Sequence, residues 1–148
     1  MQKSFDIGEK LFFDVLIICL VSFIYFKIVP TNEVTFFIGI LICAFYFGVN
    51  FHTGYKYDLT TTEALFVGIM GCGVGIFLSF FAIYMHFILQ NPNGAIWIAM
   101  PYLIPTTPIM KLFIKELSIV YVFELMFINV LLVIFGSFIR KIMNKLVH

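Results

Sequence analysis

The chain has 148 residues, 62% hydrophobic and only 11% charged, with a mean hydropathy of +1.08 and a net charge of +1. A soluble domain carries roughly 25% charged residues to keep its surface wetted, so this composition excludes an ordinary water-exposed fold and leaves lipid as the solvent. With so little net charge, and no Lys/Arg cluster outside the short C-terminus, nucleic acid is excluded as a partner.

A membrane-crossing helix takes roughly 20 apolar residues. The first such run covers residues 11–29 and follows Lys3, Asp6, Glu9 and Lys10. No small-x-small cleavage site comes after it, so it reads as a retained helix rather than a signal peptide. Pro30-Thr31-Asn32 stops it, and the second run, 34–51, begins at once. So short a turn predicts an antiparallel hairpin. Thr35, Gly39, Cys43, Tyr46 and Asn50 form a small and polar stripe along the second run.

A polar stretch, 52–63, ends in Thr60-Thr61-Thr62-Glu63, where Thr60 and Glu63 have the spacing of a capping box. The third run, 64–89, is the longest and is closed by Gln90-Asn91-Pro92-Asn93-Gly94. Residues 95–114 are apolar but contain Pro101, Pro105 and Pro108. Three missing donors argue against a regular helix and place the stretch at the interface, or as a re-entrant segment covered by protein. Trp97 and Tyr102 suit such a position. The last run, 117–139, is followed by Arg140, Lys141 and Lys145.

These elements predict an all-α integral membrane protein. It would be one transmembrane domain over 1–148, a bundle of about four helices with the Pro-rich segment between the third and fourth. Four spans put Lys3, Lys10, Lys56, Arg140, Lys141 and Lys145 on one side and Lys27, Lys111 and Lys115 on the other. Counting 95–114 as a fifth span loses that asymmetry. The positive-inside rule therefore predicts a multi-pass protein of the cell (inner) membrane with both termini cytoplasmic.

On the third run, Ala64, Gly68, Gly71, Cys72, Gly75, Ser79, Ala82 and His86 share an arc of about 100°. Bulky residues, among them Phe66, Phe77 and Phe80, occupy the opposite side. In lipid, small faces are where backbones approach. The first seven of these residues are thus a predicted packing seam, against a neighbouring helix or a second copy. Gly73 falls on the opposite side.

Two ionisable side chains stand out. Glu124 lies seven residues into the last run, at a depth of about 10 Å, and is costly in hydrocarbon. Its arc includes Tyr121, with Asn129, Ser118 and Gly136 at the far edge. His86 would occupy the same leaflet, so His86 and Glu124 form a candidate buried polar pair, either a helix clamp or part of an ion path.

Enzymatic chemistry lacks its ingredients. Cys72 and His86 share a face but lie about 21 Å apart along it, too far for a nucleophile and base. None of His52, His86 and His148 has a second ligand at i+3 or i+4, and Cys19, Cys43 and Cys72 lack metal-type spacing. No cofactor or metal is expected. The sequence predicts a non-enzymatic interaction, regulatory or immunity-like accessory subunit, partnered by the bilayer and by another membrane protein or itself. The alternative is a small homo-oligomeric channel or transporter with the third helix lining the path.

Overall fold

The computed structural model describes residues 2–29, 32–113 and 117–147, and these are all-helical, with no strand among the described residues.

Helix α1 (Gln2–Ile28) begins well before the apolar run, because Ser4, Ile7, Gly8 and Leu11 bury a stripe at helical spacing. Asn32 caps α2 (Glu33–Lys56): its Oδ1 accepts from the Thr35 N–H at 2.9 Å, and the Thr35 hydroxyl accepts from the Asn32 N–H at 2.7 Å. Buried Thr53 and Gly54 carry α2 past the 34–51 limit read from hydropathy. Thr60 and Glu63 form the predicted capping box at the start of α3 (Thr61–Gly71).

The third apolar run is not one helix. It breaks at Cys72 into α3 and α4 (Gly73–Ile83), and α4 continues as a π turn over Tyr84–Ile88. The two halves are bent by 55°. Glycines on both sides of Cys72 lower the cost of the break, and the Cys72 N–H is shared between the Gly68 and Ile69 carbonyls, each at 3.1 Å.

The Pro-rich stretch is also not irregular. Helix α5 (Pro92–Leu103) runs straight through Pro101, a 3₁₀ turn follows at Ile104–Thr106, and α6 (Thr107–Phe113) completes it. Around Pro108, local donors take over. Pro108 cannot serve the Ile104 carbonyl, which takes the Thr107 N–H instead. That change deprives the Leu103 carbonyl, which accepts from the hydroxyls of Thr106 (2.7 Å) and Thr107 (3.3 Å). Helix α7 (Val120–Val147) starts later and ends later than the 117–139 run.

Three helices are long and apolar enough to cross a membrane, α1, α2 and α7, and the bent α3–α4 pair makes a fourth candidate. Contacts fix their directions. Ser4 meets Glu63, and Leu11 abuts Gly71, so α1 and α3 run parallel. Tyr46 meets Asn129, and Tyr55 meets Arg140, so α2 and α7 run parallel to each other. Phe26 near the end of α1 lies over Gly39 near the start of α2, so the two pairs are antiparallel. The start of α1 and the end of α7 therefore share one end of the bundle, here called the base.

The α5–α6 unit enters from the opposite end and comes back to it. Gly94 packs on Met85 near that end, Tyr102 reaches Gly75 and Asn129 in the middle, and Pro108 returns to Gly39 and Phe26. Its tip is fully enclosed, with Tyr102, Leu103, Pro105 and Thr106 all buried. The closest backbone approach is between α2 and α7, where a Cβ at Gly54 would collide with the Val133 carbonyl and one at Gly136 with the Phe51 carbonyl.

Candidate functional site

A polar centre lies within the apolar interior, at the tip of the inserted hairpin. Tyr46 comes from α2, Tyr102 from α5 and Asn129 from α7, and none is more than 1% exposed. The Asn129 amide donates to the Tyr46 hydroxyl at 2.6 Å and to the Tyr102 hydroxyl at 3.0 Å. One side chain thus ties three segments together, over sequence separations of 83 and 27 residues. Cys72, at the break between α3 and α4, brings in that bent pair: its thiol donates to the Met126 carbonyl at 3.4 Å.

Not every polar atom here is satisfied. Asn129 Oδ1 is buried without a protein partner, and so is Oδ1 of Asn50, whose Nδ2 donates to the Tyr46 carbonyl at 2.9 Å. Turning either amide over would exchange which end is orphaned, not remove the orphan. An unmet acceptor in such surroundings costs about 1–3 kcal/mol and invites a small donor such as water. The centre is built from hydroxyl and amide donors and acceptors.

The predicted seam is buried along its whole length: Ala64, Gly68, Gly71, Cys72, Gly75, Ser79 and Ala82 all lie inside the bundle despite the bend. Its neighbours belong to this same chain. A Cβ at Gly68 would stand 3.0 Å from Val130 Cα, one at Gly71 2.6 Å from the Leu11 side chain, and one at Gly75 2.7 Å from the Tyr102 ring. Gly73 is not on an open face either, since its Cβ would stand 2.7 Å from the Phe12 ring.

The structure does not bring His86 and Glu124 together as a buried pair. Glu124 is exposed, and His86 sits half-buried in the π turn with its ring edge-on to Phe87 at 4.7 Å. No hydrogen bond or ion pair among the described residues joins them. The reason is helical phase. The buried stripe of α7 runs through Val122, Leu125, Asn129, Val133 and Ser137, and at 100° per residue Val133 lies about 180° from Glu124. What looked like the far edge of the polar arc is the core side.

Sequence reasoning missed Asn129 and Tyr102 as site residues and took Arg140 only for a topological charge. Arg140 Nη1 donates to the Tyr55 carbonyl at 3.1 Å and to that of Lys56, so it caps the C-terminal end of α2. One signal was available: Tyr46 and Asn50 on one apolar helix and Asn129 on another are the kind of polar groups that seek each other in lipid. All three cysteines are buried and free, and no group of three or more potential metal ligands occurs among the described residues. Comparisons with protein-family models, with curated proteins and with solved structures return no match for this chain.

Proposed function

We propose that this chain is a multi-pass protein of the cell (inner) membrane, spanning it four times with both termini in the cytoplasm. In this reading it is not an enzyme. It works as an interaction, regulatory or immunity-like accessory subunit that docks laterally on another membrane protein or on a second copy. The base of the bundle carries Lys3, Lys10, Lys56, Arg140, Lys141 and Lys145, which supports a cytoplasmic base.

The observation that carries the docking reading is the position of Glu124. It is exposed on α7 between Phe123 (44% exposed) and Phe127 (64% exposed), with no ion pair among the described residues. It stands only about 6 Å along α7 from Val120, so its cost in hydrocarbon is below the roughly 2.5–3.5 kcal/mol of a central acidic group. That cost still favours a protein neighbour offering a donor. A photo-crosslinker placed at Phe127 tests this in native membranes, with Phe37 on α2, 67% exposed, as the control. A discrete adduct from position 127 and none from 37 is the expected result. Equal labelling from both positions, or none from either, would end the docking reading.

A second reading, a small channel or transporter, has one observation in its favour. A broken span and the tip of an inserted hairpin meet beside two unpartnered amide oxygens, an arrangement by which transporters present polar groups to a solute. The third span's small face is filled by Leu11, Tyr102 and Val130, which weighs against that face lining a pore between copies. Solute flux in proteoliposomes that disappears in Asn129→Leu while the protein stays folded would replace the docking reading with this one.

A further inference from the structure

The end of α1 and the start of α2 lie away from the base, and toward the base a cleft of about 250 Å³ opens between the two helices. Its floor is apolar: Leu11, Phe45 and Val49 line it together with Gly48, whose missing side chain leaves open space with nothing within 4 Å. Its rim is not. Lys10 and Asp14 of α1 face His52 and Lys56 of α2 across the opening. Among the described residues none of the four is engaged in an ion pair. Two lysines against one carboxylate leave the rim with a surplus of positive charge.

We propose that this cleft binds one anionic phospholipid with a hydroxyl-bearing headgroup. The phosphate takes the Lys10 and Lys56 ammonium groups and the His52 ring. Headgroup hydroxyls donate to Asp14, and an acyl chain lies along the Gly48 hollow. The match is one of order as well as charge: cations and hydroxyl acceptor at the base, hydrocarbon surface immediately above, as in the lipid itself. A free phosphate ester shares the headgroup chemistry but leaves the Gly48 hollow empty. The proposal rests on the membrane reading above, and its test keeps the two apart.

Carbonate extraction of membranes comes first: release of the chain into the supernatant would overturn the membrane reading and this proposal with it. If the chain stays in the pellet, the detergent-purified full chain is titrated with phosphatidylglycerol, phosphatidylcholine and glycerol 1-phosphate and followed by native mass spectrometry. The expected result is one tightly held phosphatidylglycerol, about tenfold preferred over phosphatidylcholine, and no competition from glycerol 1-phosphate. At about fivefold per basic residue near a lipid surface, Lys10→Gln with Lys56→Gln lowers affinity about 25-fold. Lys145→Gln, a loss of one positive charge outside the cleft, leaves it unchanged. Gly48→Leu fills the hollow, where an added Cβ meets nothing within 4 Å, and abolishes retention. Equal binding of the two lipids, equal loss from Lys145→Gln, or a Gly48→Leu variant that binds normally would each overturn the proposal. Full competition by glycerol 1-phosphate would overturn it in favour of a soluble phosphate ester.

Discussion

The contact between α2 and α7 makes the sharpest demand on a single position. A methyl added at Gly136 would collide with the Phe51 carbonyl oxygen, and would stand 2.8 Å from the Tyr55 nitrogen and 3.2 Å from the Gly54 carbonyl carbon. All three neighbours are backbone, so no rotamer change relieves the clash and α7 must move off by about 1 Å to reach ordinary contact distance. Overpacking of this kind costs about 1–3 kcal/mol, and a rigid neighbour puts Gly136→Ala near the upper end. Better helix propensity offsets about 1 kcal/mol, for a net loss of about 2 kcal/mol. Gly48→Ala is the matched control: the same atoms are added at a helix interior with nothing within 4 Å, so only the gain of up to about 1 kcal/mol remains. Thermal unfolding of both variants in one detergent, followed by circular dichroism, should therefore separate them by about 3 kcal/mol, in opposite directions from the parent. Equal midpoints would refute the reasoning, because they would mean that the α2–α7 approach is looser than these backbone distances require.

The polar centre yields a second expectation. Tyr102→Phe removes one hydrogen bond and costs roughly 1 kcal/mol, within the range found for side-chain bonds in membrane bundles, and Thr106→Cys at the hairpin tip becomes more reactive to a small maleimide when combined with Tyr102→Phe than when introduced alone. Arg140→Leu strips two carbonyls at the end of α2 of their donor and should lower stability by about 1–2 kcal/mol, with Arg140→Lys recovering only part, because one ammonium does not reproduce the guanidinium fork; full recovery would reduce Arg140 to a point charge. Glu124→Gln and His86→Ala should be additive within about 0.5 kcal/mol, since no contact joins them; a larger coupling energy in the double mutant would restore the clamp that the helical phase removes.

How far the sequence could be read follows from which interactions are local. Helix existence is written in hydropathy, and the Thr60–Glu63 capping box needs only four consecutive residues. The small face along α3 and α4 was also legible, because close approach of backbones depends on the side-chain size along that stretch. The extra length of α1 and α2 was not. Polar residues such as Ser4 and Thr53 extend these helices only because another helix covers them, and no hydropathy window registers that. Helix α5 was lost for a related reason. Counting prolines gives the donors removed, but it does not show that Thr106 and Thr107 supply hydroxyls to the carbonyl left short.

The misreading of α7 came from giving one residue too much weight. A carboxylate in an apolar helix carries the largest single solvation cost on it, which favours a phase with Glu124 facing inward. Close backbone contact outweighs that preference. Gly136 and Ser137 must face Gly54 and Leu59, because larger residues on that side would hold the helices apart, and a residue near the end of a span has a shorter way to the headgroups than one at its centre. Once Gly136 is fixed against Phe51, the 100° step carries Val133 and Asn129 inward and Glu124 outward with no further freedom. The inward turn of Asn129 is what places an amide within reach of both Tyr46 and Tyr102. The polar centre and the exposed carboxylate are therefore two consequences of one rotation, so any variant that turns α7 should move both: reactivity at position 124 should fall as the Tyr102 tether is lost.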